Sequence, residues 1–294
     1  MTSLKSLIAG SATILALSIS AVTPVQAAEP LSLQVFNADG NSFHVNSVLI
    51  SGEQEAVLVD TQFSRADAHR LVANILSSGK TLKAIYISHG DPDYYFGAEV
   101  IREAFPDVQV YASAPTIEWI RSTVEKKVGI WGPRMGVNAP RNPVIPEPLP
   151  AEGLSIEGHA LVVSGLNGDQ SRRGYLWIPD IKAVVGGVNV FSGLHLWTAD
   201  TQSKEARQDW GRALESIEAL QPQTVIPGHM AQGAPTGLDS VAYTKAYLNT
   251  FEQELDSAKG SAEVIDALQQ HYPNAGLGIA LEIGAKVNTG EMKW

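Results

Sequence analysis

Ile87-Ser88-His89-Gly90-Asp91-Pro92-Asp93-Tyr94-Tyr95-Phe96-Gly97 is the stretch on which the fold turns. It follows the short apolar run Leu82 to Ser88, which reads as a buried strand. A polar loop at the carboxyl end of such a strand is where chemistry gathers in α/β proteins. His89, Asp91 and Asp93 alternate, so an extended backbone would point all three into one cleft. Pro92 favours that geometry by holding Asp91 out of the helical region.

Upstream, Leu31 to Phe36 and Phe43 to Ile50 flank Asp39-Gly40-Asn41 and read as a hairpin, since Asp-Gly supplies the positive φ a tight turn needs. Glu55 to Asp60 makes a third strand. Ser64 is placed as an N-cap for a helix carrying Leu71, Val72, Ile75 and Leu76, which Gly79 stops. Downstream, Gly97 to Phe105 reads as helix, Val108 to Ala112 as strand and Pro115 to Lys127 as helix. Residues 129–151, rich in Gly and Pro, suggest a surface loop or flap, with disorder as the competing reading.

Strand-like text returns at Leu154 to Ile156, Ala160 to Ser164, Gly174 to Ile178 and Ala183 to Val190. Ser203 to Leu220 is amphipathic, Thr224 to Ile226 leads as a strand into Pro227-Gly228-His229, and Ser240 to Tyr272 is mostly helical. The order describes an α/β, four-layer αββα sandwich of two stacked mixed β-sheets flanked by helices. Residues 28–294 are expected to form one domain.

Residues 1–27 stand apart. Lys5 precedes an apolar run from Leu7 to Val22, and Val25-x-Ala27 suits signal peptidase. The segment reads as a secretory signal, against the alternative of a membrane anchor, and places the mature protein in the periplasm or outside the cell. Its loss removes one Lys and no acid, taking the formal charge of −10 one unit further negative. An acidic chain without basic clusters disfavours nucleic acid and anionic membranes as partners, and does not by itself choose a small-molecule substrate. With 44% hydrophobic and 18% charged residues the chain is not disordered, collagen-like or polytopic. It has no cysteine and seven histidines, so disulfides and thiol nucleophiles are excluded and any metal must bind through nitrogen and oxygen. Oligomeric state is not legible.

The motif at 87–97 resembles that of the metallo-β-lactamase superfamily, His-x-His-x-Asp-His followed by Gly. Val57-Leu58-Val59-Asp60-Thr61 is similar to the family's Leu-Ile-Asp-Thr strand, and Val225-Ile226-Pro227-Gly228-His229 to its late Val-Pro-Gly-His. The departures are specific. The second His is Asp91 and the last is Tyr94. Gly165-Leu166-Asn167-Gly168-Asp169 lacks the middle His, and Val188 replaces the bridging Asp.

The resemblance implies the family's fold and a metal-dependent hydrolase acting on a small ester, lactone, thioester or amide. The surviving donors His89, Asp91, Asp93 and His229, completed by Asp169 or a water, suit one ion at most. Zn²⁺ is the default through the resemblance, and Mn²⁺ or Fe²⁺ compete because the set is rich in carboxylates. The family's Asp, here Asp93, both ligates metal and orients the attacking water. Tyr94 or Tyr95 is a candidate oxyanion donor, with aromatic packing as the alternative. His195 is a candidate replacement ligand or general acid, weighed against a packed or surface His. Asp60 is placed as a support behind the loop or a plain strand-end hydrogen bond, and Trp131, Trp177 and Trp197 as pocket walls or core. The alternative function, motivated by the four lost ligand positions, is a catalytically silent protein of this fold that binds a small ligand or a partner protein.

Overall fold

The computed structural model describes residues 30–167 and 171–294. The expected signal segment and Asp169 lie outside them.

The first sheet has six strands side by side in chain order: β1 (Ser32–Asn37), β2 (Asn46–Ser51), β3 (Glu55–Val59), β4 (Thr81–Ile87), β5 (Gln109–Ala112) and β6 (Glu147–Pro148). The first three are antiparallel and the rest parallel. The second sheet contains β7 (Leu154–Ile156), β8 (His159–Ser164), β9 (Tyr175–Ile178), β10 (Ala183–Val185) and, parallel to β10 at the edge, β12 (Thr224–Val225). β11 (Phe191–Ser192) and β13 (His229–Met230) form a separate parallel pair.

Period-two alternation sorts the side chains into layers. Val48, Ile50, Val57, Val59 and Tyr86 face Leu176, Ile178, Ala183 and Val185 in the core between the sheets. Their neighbours Leu49, Leu58, Ile85 and Ile87, with Val184 and Val225 of the second sheet, turn toward helices. Those helices are α1 (Arg65–Ser78), the short α2 (Pro92–Tyr95), α3 (Ala98–Ala104), α4 (Ala114–Met135), α5 (Lys204–Ala219), α6 (Leu238–Ser257), α7 (Ser261–His271) and α8 (Gly278–Asn288). The αββα expectation holds. Ser64 caps α1 by accepting from the Asp67 N–H, and Gly79 ends it in the left-handed region, as expected.

Three expectations are corrected. Residues 129–151 do not form a loop or flap throughout, because α4 runs on to Met135. Trp131 anchors that last stretch edge-on against Phe43 and Phe63, and Pro133 sits close to the helix end. Packing there outweighs the helix-breaking composition. The strand expected over Ala183 to Val190 stops at Val185, where Gly186 and Gly187 both take positive φ and turn the chain out of the sheet. The extended run expected through Asp93 also fails. Asp91 is extended, with φ −82° and ψ 152°, but Pro92 starts α2, so Asp93 lies in a helical turn. Proline at the first helical position fits a helix start, which is the competing use of the residue.

Candidate active site

The end of β4 is tied to the second sheet through buried polar groups. The Asp60 carboxyl accepts from the Ser88 N–H at 2.7 Å and from Ser88 Oγ at 2.6 Å, and Ser88 Oγ accepts from the Gly187 N–H at 2.7 Å. Burial pushes the Asp60 carboxyl up to about 8 against the lowering effect of Ser88. Asp60 thus supports the loop from behind. Gly228 lets the chain reach His229 past this point, since a Cβ there would stand 2.0 Å from the Gly187 carbonyl oxygen.

Beyond this support opens a cleft of about 520 Å³. Trp119, Trp131, Trp197 and Trp294 wall it, Lys126, Lys127, Arg172 and Lys293 bring positive charge, and Asp91, Asp93 and His229 reach it. Its floor divides into two parts.

In the first part, His89 Nδ1 donates to the Arg172 carbonyl at 2.9 Å, leaving Nε2 to meet Asp91 Oδ2 at 3.2 Å. Lys127 of α4 completes the cluster, its ammonium donating to Asp91 Oδ1 and to the Gly90 carbonyl, each at 2.8 Å. Burial alone would raise the Asp91 carboxyl, but Lys127 and His89 hold it well below the usual carboxylate range. The Lys127 ammonium also lies 4.9 Å from the Trp119 ring centre.

The second part is neutral. Burial, reinforced by the charge on Asp91, pushes the Asp93 carboxyl well above its ordinary value. Burial, with His44 and His89 adding to it, pushes His229 down to about 3. The 3.4 Å contact between Asp93 Oδ2 and His229 Nε2 therefore joins a carboxyl biased toward its acid form and an imidazole biased toward its neutral form. Tyr94 stands between the two imidazoles, its ring 5.2 Å from His89 and 5.5 Å from His229. Its hydroxyl is 3.3 Å from the Gly187 carbonyl and 3.2 Å from His229 Nε2. Having one proton, it can donate to only one of them. Among the described residues His229 Nδ1 has no hydrogen-bond partner although the residue is only 6% exposed.

The other expected residues fall into place around this floor. Tyr95 is buried against Phe96, so of the two tyrosines only Tyr94 reaches the site chemistry. His195 turns the other way. Its Nδ1 lies 2.9 Å from the Tyr247 hydroxyl of α6, its backbone N–H donates to the Gly276 carbonyl, and it is absent from the cleft lining. It is a packed histidine, which corrects its candidacy as ligand or general acid. Trp131 and Trp197 line the cleft; Trp177 sits in β9 opposite Val162 and Val184 and does not.

Sequence reasoning missed Lys127, Arg172, Arg173 and Asp200. A signal for the first was present, because Trp119, Thr123, Lys127 and Ile130, which all line the cleft, recur at helical spacing along α4.

A family model described as the metallo-beta-lactamase superfamily matches residues 40–229. The chain belongs to the metallo-β-lactamase superfamily. Most members of the superfamily are metal-dependent hydrolases. Solved structures similar to this one include a metallo-beta-lactamase family protein from Thermus thermophilus, at 18% identity and a TM-score of 0.59, covering 88% of this chain and 91% of that one. A metallo-beta-lactamase from Pontibacter korlensis is similar at 18% identity and a TM-score of 0.53, over 77% of this chain and 97% of its own. The DIM-1 metallo-beta-lactamase matches at 20% identity and a TM-score of 0.50, over 76% and 95%. These likenesses show the fold. No curated protein sequence matches.

Superfamily membership implies a metal, so the donor set has to be tested against one. Among the described residues no three His, Asp or Glu side chains converge as a metal cradle. His89 Nε2 faces Asp91, and His229 Nε2 faces Asp93 and Tyr94. Asp91 already binds a cation of the chain itself. A divalent ion roughly 4 Å from that ammonium would meet repulsion on the order of 8 kcal/mol at an effective dielectric of about 20. With Lys127 in this position, the described residues do not fit a resident metal.

Proposed function

We propose that this member of the superfamily uses its cleft to bind a small aromatic molecule, with the Lys127 ammonium in the place where relatives of the fold hold a metal. One observation carries this: Lys127 donates to both Asp91 and the Gly90 carbonyl at 2.8 Å, inside the loop that bears the family motif. The tryptophan walls supply flat apolar surface for the ligand. Elemental analysis of mature protein purified without chelator tests the metal half of the proposal. The wild type is expected to carry under a tenth of an equivalent of zinc, manganese or iron, and Lys127→Met, which frees Asp91, to gain affinity for added Zn²⁺ in a calorimetric titration. A full equivalent bound by the wild type would overturn it. Calorimetric titration with neutral indole tests the ligand half, and no heat of binding at millimolar concentration would overturn that.

A second reading, a mononuclear metal-dependent hydrolase of a small ester, lactone, thioester or amide, is favoured by the way four donors line one floor as the pairs His89–Asp91 and Asp93–His229, 3.2 and 3.4 Å apart. It requires Lys127 to swing away. Zn²⁺ would be the first ion to try and Mn²⁺ or Fe²⁺ the next, with Asp169 a further candidate donor. In this reading Asp93 and Tyr94 orient the substrate and its water.

We further propose export to the periplasm or beyond, resting on residues 1–27. Amino-terminal sequencing of exported material should begin at Ala28, and a mature chain still containing Leu15 would end that proposal.

A further inference from the structure

A side recess of about 50 Å³ opens off the cleft, sharing Trp119, Arg172, Val188, Trp197 and Asp200 with it and reaching His89 and Arg173. Arg173 is the unusual group. It is 7% exposed, and its guanidinium lies over Trp210 with the central carbon 3.9 Å from the ring centre. Its Nη2 donates to the Val188 carbonyl at 3.3 Å, while Nε and Nη1 have no partner among the described residues. Burial lowers its pKa to about 10, which still leaves the group charged at neutral pH.

A buried charge with no carboxylate bonded directly to it is costly, and natural proteins rarely keep one. Asp200 and Asp91 favour the charged guanidinium through space, but neither is bonded to it. Asp200 gives its oxygens to two indole N–H donors, Trp197 Nε1 at 2.8 Å and Trp294 Nε1 at 2.7 Å. Arg172, stacked 4.1 Å from the Trp119 ring centre, adds a second guanidinium at the entrance. The recess is thus bordered by two guanidinium groups, one of them carrying N–H donors that nothing in the described chain satisfies.

We infer that the recess is an anion subsite and that its occupant is a carboxylate carried by the ligand, held by Arg173 with its apolar body against the cleft tryptophans. The inference deepens the small-molecule reading of the cleft and rests on it for the body of the ligand. The carboxylate is preferred over a phosphate on charge, since Asp200 in the wall of the recess repels a dianion more strongly than a monoanion.

The test uses the whole mature chain and formate as the probe, the smallest carboxylate. Thermal unfolding is followed in potassium formate and in potassium chloride at equal ionic strength, for the wild type, Arg173→Met and Arg173→Lys. Formate is expected to raise the wild-type Tm by about 3 °C at tenfold its Kd. Arg173→Met is expected to abolish that rise, and its Tm in chloride to be no lower than that of the wild type, because a buried charge without a directly bonded carboxylate has been removed. Arg173→Lys, a point charge without the planar fork, should retain under half of the shift.

Identical wild-type curves in the two salts overturn the inference. So does an equal formate effect in the wild type and both variants, which would place the anion elsewhere. A phosphate effect as large as that of formate overturns the carboxylate assignment. Because formate does not touch the apolar walls, its stabilisation can hold while indole fails to bind, or fail while indole binds, and the two readings are separated.

Discussion

The two parts of the cleft floor solve one problem in opposite ways. Around Asp91 the chain keeps the carboxylate charged and supplies a lysine to neutralise it. Around Asp93, the next acid in the same motif, no cation is bonded to the carboxyl, and burial biases the group toward its acid form beside an uncharged His229. Position in a motif does not set protonation. The nearest cation and the depth of burial do, and here Lys127 donates to one carboxylate and not to the other.

The largest effect that would break this contrast is expected from Asp91→Asn. It removes the charge Lys127 binds and strands the ammonium in a partly buried place, so stability at pH 7 should fall by on the order of 3 kcal/mol, read by denaturant unfolding. Because the native carboxyl is held below its ordinary value of 3.8, Asp91 adds stability above that pH and loses it as pH falls through the folded value. The penalty of the variant should therefore shrink in acid. A variant as stable as the wild type at pH 7 would mean that the Lys127 pair contributes nothing.

Tyr94→Phe is expected to have a middle-sized effect, about 1 kcal/mol, by removing the hydroxyl shared between the Gly187 carbonyl and His229. The smallest effect should come from Asp93→Asn measured in acid, within about 0.5 kcal/mol below pH 3.8, where the carboxyl is protonated in folded and unfolded chains alike and one uncharged group replaces another. Its signature is the slope. A carboxyl raised above 3.8 in the fold loses stability as pH climbs from that value toward the folded one, and the amide removes that loss. Wild type and Asp93→Asn should diverge with rising pH, whereas wild type and Asp91→Asn diverge in the same direction of pH but with opposite sign. Parallel curves for the two variants would erase the distinction.

What was legible in the sequence were the features that residues fix locally. The apolar run ending at Ser88, the Ser64 cap and the Gly79 stop each act over a few residues, and all stand where expected. The contribution of α4 was not legible, because the stretch past Lys127 is helical through contacts that Trp131 makes with Phe43 and Phe63, far away in the chain. The same distance hid the lysine at Asp91, 36 residues apart. Pro92 carried an ambiguous signal, extending the residue before it and starting a helix itself. The helix Gly278–Asn288 was not anticipated at all.

Four of the six tryptophans, Trp119, Trp131, Trp197 and Trp294, surround the cleft. Trp197 and Trp294 have ring centres 5.3 Å apart, and Trp119 and Trp131 each lie against a basic side chain. Most of the indole chromophores of the protein thus stand in the cleft walls, with Trp177 and Trp210 as the background. A molecule entering between them would change quenching and polarity at several emitters at once, so an unlabelled sample carries its own optical reporter of occupancy.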